Sequence, residues 1–360
     1  MTVNRFGAIA LLIGCFASST MTPTAESCCA VFPSGKPVVN ADQSVIIIWD
    51  AATKTQHFIR RASFKSEASD FGFLIPSPAK PELEESGNEA FPSLQKLTEP
   101  DRIKRDRPRS KPGCGCGDKS TMPGPKAASD VKVLEEKDVA GYRATVLETK
   151  SADDLVAWLR DNGFAYSPEV AAWAKPYVEN GWKITALKVA KGKDNPEAKS
   201  VQASALRMSF KTERPLFPYR EPDSAASAAQ LGAGNRLLRI YFIADARYEG
   251  KLTPQYEWSG KVAWAGQIGP EHRKAVLGQL RLPENAGPTS WYLTEFEDRW
   301  EYKVAPADVY FAKSESQEDV RREAIIDYVR TKAPIDPMFA AMGVALALLP
   351  MLTRIRRRWL

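Results

Sequence analysis

Four cysteines fall in two close pairs, Cys28-Cys29 and Cys114-Gly115-Cys116, the second flanked by Gly113 and Gly117. Glycine lacks a Cβ, so its backbone can aim both thiols freely. A disulfide within either pair would close a strained ring. In an oxidising compartment the four therefore favour cross-pairing, Cys28 and Cys29 with Cys114 and Cys116, in one of two connectivities. Closing so long a loop stabilises a fold by about 4–5 kcal/mol on chain-entropy grounds. Three other chemistries could use the same sulfurs: a four-thiolate metal site, thiol–disulfide exchange, and free thiols. Structural zinc sites usually leave two to four residues between paired ligands, which neither pair does, so structural disulfides are the first reading and no metal or other cofactor is expected.

The other residues able to do chemistry are sparse or scattered. His57 and His272 are the only histidines. That disfavours a histidine metal site and a paired-histidine acid–base scheme together. His57 falls on a strand, where it reads as a satisfied or solvated side chain. Asp70 and Gly72 read as a strand start and a close-packing glycine. Asp153 and Asp154 open a helix, where the dipole favours negative charge. Glu295, Glu297 and Asp298 read as alternating around a tight turn between strands 290–296 and 299–304. The chain has no G-x-S-x-G, no H-E-x-x-H, no phosphate loop and no dinucleotide fingerprint. A glycosidase-type carboxylate pair needs no adjacency in sequence, so an envelope hydrolase remains an alternative.

The two ends set the expected compartment. Arg5 and the apolar stretch Phe6 to Ala17 have the form of a secretion signal. Small residues at Ala25 and Ser27 allow cleavage that leaves Cys28 first, giving a signal peptide over 1–27. The rival is the lipobox-like Leu12-Ile13-Gly14-Cys15, with Cys15 acylated. At the other end, residues 338–353 are almost wholly apolar, and Arg354, Arg356, Arg357 and Arg358 follow in a basic tail, 354–360. Sixteen residues make about 24 Å of helix, a little short for a ~30 Å hydrocarbon core. Snorkelling arginines and Trp359 at the interface make up the difference. The positive-inside rule keeps the basic tail cytoplasmic. The expectation is a single-pass protein of the bacterial cytoplasmic membrane with its bulk outside; the alternatives are a buried terminal helix and a cleaved sorting signal.

Between the ends, residues 28–100 are β-rich. The continuous run Val45 to Trp49 predicts a strand buried on both faces, and His57 to Phe64 a strand with one wet face. Residues 101–130 form a Pro/Gly/basic linker holding Cys114 and Cys116. Its basic residues Arg102, Lys104, Arg105, Arg107, Arg109 and Lys111 have no interleaved aromatics, so no nucleic-acid partner is expected. Over 131–333, strands are predicted at 131–134, 142–149, 182–190, 201–212, 236–248 and 258–264. Helices are predicted from the Ser151 cap to Asn162-Gly163, from Pro168 to Asn180-Gly181, over 271–280, and over 317–332 with Ile325, Ile326 and Val329 on one side. The tryptophans and tyrosines at helical spacing read as core. The fold class is α+β: mixed, mostly antiparallel sheets with packed helices, plus the C-terminal transmembrane helix.

The order of several short motifs, Cys28-Cys29-Ala30-Val31-Phe32, Ile47-Ile48-Trp49-Asp50 and Asp70 to Pro78, resembles the bacterial family catalogued as domain of unknown function 2330. Val139 to Tyr142, Leu155 to Gly163, Ala186 to Lys188 and Leu216 to Tyr219 extend the likeness over most of the mature chain. The resemblance implies a shared fold and export, and it supplies no catalytic residues. The leading reading is a membrane-tethered interaction or structural module of the cell envelope with an unidentified envelope partner. The alternatives are a hydrolase and a thiol-based redox or metal-handling protein.

Overall fold

The computed structural model describes residues 29–31, 39–40, 43–61, 64–65, 72–106, 131–164, 168–189, 204–220, 236–253, 256–300 and 306–329. Its strands are β1 (Cys29–Val31), β2 (Val39–Asn40), β3 (Gln43–Asp50), β4 (Thr55–Arg61), β5 (Phe64–Lys65), β6 (Gly72–Ser77), β7 (Glu82–Ser86), β8 (Arg102–Asp106), β9 (Lys132–Val139), β10 (Tyr142–Glu148), β11 (Lys183–Val189) and β12 (Ala205–Lys211). They continue with β13 (Leu216–Phe217), β14 (Arg236–Ala244), β15 (Tyr248–Lys251), β16 (Lys261–Ile268), β17 (Trp291–Trp300), β18 (Val309–Lys313) and β19 (Ile325–Val329). The helices are α1 (Ala90–Leu97), α2 (Ala152–Asp161), α3 (Pro168–Glu179) and α4 (Pro270–Gln279). This is the mixed, mostly antiparallel α+β class expected.

The chain divides into two compact units, one of residues 1–99 with 117–322, the other of 100–116 with 323–360. The larger unit is built on a seven-stranded sheet in the order β16-β17-β14-β3-β4-β12-β7. All its pairs are antiparallel except β14 with β3. Front and back halves of the chain thus share one sheet. A five-stranded antiparallel sheet, β1-β6-β11-β10-β9, a three-stranded one, β13-β18-β15, and the short pair β2-β5 join it.

Burial alternates along the central strand as a period of two requires. Val45, Ile47 and Trp49 enter a core shared with Phe73, Tyr142 and Leu187 of the five-stranded sheet and with Phe311 of β18. Ile46 and Ile48 point the other way, into a core with Phe91 and Leu94 of α1 and Val276 and Leu277 of α4. The outer face of the five-stranded sheet carries Leu74, Leu147 and Ile184 beneath α2 and α3. Helices, sheet, sheet and helices form four layers, and β3 is buried on both faces as expected.

Local signals explain the helix ends. Ser151 Oγ accepts from the Asp154 amide at 3.0 Å, capping α2. Gly163 and Gly181 take positive φ, 70° and 71°, at the ends of α2 and α3. Trp158, Trp173 and Tyr177 are core, and α3 runs on through Pro176 to Glu179.

Three expectations are corrected. The strand at His57 is wet only in part: Arg61 is exposed and His57 partly so, but Ile59 between them lies beneath the helices, and on the other face Arg60 is buried with its guanidinium 4.9 Å from the Phe73 ring centre. The pair expected at 290–296 and 299–304 is one strand, β17, running straight through its charges. The helix expected over 317–332 does not form over 317–329, the described part of that range. Val320 bridges Ala265 by two 2.9 Å backbone bonds, and Ile325–Val329 pairs in parallel with Arg102–Asp106. Ile325, Ile326, Tyr328 and Val329 are strand formers, so this stretch finds a ladder. The strand β8 also opens the stretch read as linker.

Among the described residues no helix is long and apolar enough to cross a membrane; residues 338–353 and Arg354, Arg356, Arg357 and Arg358 lie outside them.

The close-packing reading of Gly72 has a direct test. A Cβ there would stand 2.6 Å from both the Leu187 carbonyl oxygen and the Phe164 ring. Gly72→Ala should lower stability by about 1–3 kcal/mol, as overpacking does. The check is the urea midpoint at unchanged slope; an unmoved midpoint would contradict the packing of β6.

Candidate functional site

Cys15, Cys28, Cys114 and Cys116 lie outside the described residues. Cys29 opens β1, with its backbone opposite Leu74. The disulfide reading therefore stays an expectation. No group of three or more His, Cys, Asp or Glu able to hold a metal occurs among the described residues.

The carboxylates do converge, on β17. Alternation turns Glu295 and Glu297 toward the face that carries Leu293, Trp291 and the helices, and Asp298 toward the opposite face with Phe296. Glu295 is fully buried. Arg239 of β14 reaches Glu295 at 2.9 Å and Glu297 at 2.7 Å. Arg322 reaches the same two carboxylates at 2.7 and 2.9 Å. Two negative and two positive groups thus cancel. Glu295 sits between two guanidiniums, and Arg322 and Thr98 also hydrogen-bond its carboxylate. Burial pushes its pKa up, against the pull of Arg322. Burial acts the same way on Glu297, but Arg239 and Arg322 outweigh it and hold Glu297 below the usual range. Arg322 also donates through Nε to the Thr98 carbonyl at 2.8 Å, tying the end of α1 to this network.

On the other face, Asp298 is buried and accepts three hydrogen bonds. Tyr219 Oη and Trp258 Nε1 donate to one oxygen at 2.8 Å, and Ser259 Oγ to the other at 2.7 Å. Asp308 is buried nearby in the fold. Its Oδ1 accepts from Tyr177 Oη at 2.8 Å and from the Tyr219 and Arg220 amides at 3.0 Å. Burial keeps the pKa of Asp308 raised in spite of these donors. Tyr219 is therefore held at both ends, by its amide on Asp308 and its hydroxyl on Asp298. Sequence reasoning had Glu295, Glu297 and Asp298 as candidates but missed Asp308, Arg239 and Arg322, whose local sequence carries no motif.

His57 has a partner as well. Its Nδ1 lies 2.8 Å from Ser209 Oγ on β12. Ser209 pairs in register with His57 on one side and with Glu82 on the other. A serine hydrolase places the imidazole between serine and carboxylate. Here serine stands in the middle, so the row lacks that relay, and His57 is the satisfied side chain expected. Burial, reinforced by Arg207, pushes its pKa down to about 4, so the ring is neutral at ordinary pH.

Comparison with known proteins adds a family and little else. The crystal structure of baculovirus P35 is similar over 80% of this chain and 97% of its own, at 9% identity and a TM-score of 0.33, a likeness too slight to carry an argument. No curated protein matches. A family model described as an uncharacterized protein conserved in bacteria, DUF2330, matches residues 22–312.

Two outcomes follow from this chemistry. Glu295→Gln leaves two guanidiniums facing one carboxylate in a buried place, and should cost about 3–5 kcal/mol. The same change at Glu297, which is partly exposed, should cost less; equal costs in equilibrium unfolding would contradict the assigned burial. For His57, both folded and unfolded states are neutral above pH 6.5. Between 6.5 and about 4 the unfolded chain binds a proton that the fold refuses. Stability should therefore fall as pH falls through that window, by up to about 1.4 kcal/mol per unit from this group. His57→Gln should flatten that part of the profile; a profile identical to the parent would contradict the buried neutral ring.

Proposed function

We propose, for a chain that belongs to the bacterial DUF2330 family of uncharacterized proteins, the role of a membrane-tethered extracytoplasmic module of the cell envelope that acts by interaction or as a structural part. The observation that supports it is how the interior carboxylates are occupied. A general acid, base or nucleophile must offer a proton or lone pair to a substrate. Glu295 and Glu297 are engaged by Arg239 and Arg322, Asp298 by Tyr219, Trp258 and Ser259, and Asp308 by Tyr177 and two backbone amides. These groups tie strands and loops together inside the larger unit. The residues that could serve as a hydrolase site are used by the fold itself.

The compartment rests on the two ends of the sequence. The apolar stretch from Phe6 to Ala17 exports the chain, and the stretch over 338–353 with its four arginines holds it in the cytoplasmic membrane. The cysteine pairs then meet an oxidising environment.

The test is fractionation of a bacterium expressing the full chain. The protein should stay with the membrane through alkaline carbonate, and external protease should digest it in spheroplasts. Truncation after residue 337 should release it. Intact mass should place the new N-terminus at Cys28, with no lipid on Cys15 and no free thiol at Cys28, Cys29, Cys114 or Cys116. A soluble cytoplasmic protein with an unprocessed N-terminus would overturn the proposal.

A further inference from the structure

The smaller unit contains a two-stranded parallel ribbon, β8 with β19. Ile326 pairs with Ile103, and both are exposed, at 37% and 44%. Two positions along the same ladder Tyr328 pairs with Arg105. On the opposite face Ile325, 41% exposed, pairs with Arg102, whose guanidinium lies 3.1 Å from Asp327. Exposed isoleucines beside Arg102, on strands whose sequence also carries a tyrosine and further basic residues, are the mixture that partitions into the boundary of a bilayer, where apolar side chains sink and cations meet phosphate.

Chain length places a bilayer within reach. Eight residues lie between Val329 and Met338, where the C-terminal apolar stretch begins. Fully extended, the nine Cα-to-Cα steps span at most about 32 Å. We infer that the β8–β19 ribbon docks on the outer surface of the membrane that holds the tether, recognising anionic phospholipid headgroups. This rests on the tethered reading above. Charge supports this occupant over a second copy of the chain. Arg102, Lys104 and Arg105 lie along β8, and Arg107, Arg109 and Lys111 follow it in sequence. Cations along an exposed strand discourage the edge-to-edge pairing that a second copy would need, and they attract headgroup phosphates.

The test is amide hydrogen exchange on the full chain reconstituted in bilayers of phosphatidylcholine alone or mixed with phosphatidylglycerol. Residues 102–106 and 325–329 should exchange about tenfold more slowly with the anionic lipid, the effect of one to two basic residues meeting a charged surface. Ile103→Asp with Ile326→Asp should return exchange to the phosphatidylcholine rate while leaving the melting temperature of the larger unit in place. Equal exchange in both lipids would overturn headgroup recognition. Protection that rises with protein concentration, and not with anionic lipid, would replace the bilayer by a second copy. If the chain fails to enter bilayers, the tether reading falls. The same comparison with the chain added to preformed phosphatidylglycerol vesicles then decides the ribbon: protection there sustains headgroup recognition, and its absence removes it.

Discussion

Burial of β3 on both faces is the constraint from which the rest of the larger unit follows. Five successive large apolar side chains, Val45 to Trp49, leave that strand no face for water. Fully burying each such side chain is worth roughly 1.5–3 kcal/mol, and only cover on both sides collects it. The sheet must therefore carry α1 and α4 on one face and a second sheet on the other. The neighbours of β3, namely β14 and β4, then become interior strands, and β17 beyond β14 is drawn in with them. Any charge these strands carry must be neutralised within the fold, because a buried unpaired charge costs several kcal/mol.

That necessity explains the chemistry of β17. Its charged run is divided by the pleat, with Glu295 and Glu297 on the helix side and Asp298 on the side of the second sheet. Each face supplies its own answer: guanidiniums on the first, hydroxyl and indole donors on the second. The division also locks register. A slip by one residue would put Asp298 among the guanidiniums and a glutamate among Tyr219 and Trp258, while Phe296 would leave its aromatic neighbours. These polar groups make one pairing of β14 with β17 far better than its neighbours. They also fasten the segments around Tyr219, Trp258 and Arg322, which have little regular structure of their own.

What was legible in the sequence was what short-range pattern encodes. The β3 run, the Ser151 cap, the glycine stops after α2 and α3, and the core role of Trp158, Trp173 and Tyr177 depend on neighbours a few residues away, and all are found. What was not legible depends on partners far along the chain. Glu-Phe-Glu-Asp-Arg looks like a turn because nothing nearby neutralises it; Arg239, Arg322 and Tyr219 do so from elsewhere. Ile325, Ile326 and Val329 fit a helical face as well as a strand, and the choice was made by β8. Ile59 sits on a face that looked wet because the helices that cover it come from distant parts of the chain.

Interior and ribbon differ in how their side chains are met. Inside the larger unit Glu295, Glu297, Asp298 and Asp308 each find partners from distant parts of the chain. Carboxylates held in this way add rigidity and fix a single register. In the smaller unit the economy is reversed: Ile103, Ile325 and Ile326 stand in water although a two-stranded ribbon has no core to hide them. Two strands alone are at best marginally stable in water, and apolar faces without cover make that worse. Such a ribbon is most stable when something apolar and anionic lies against it.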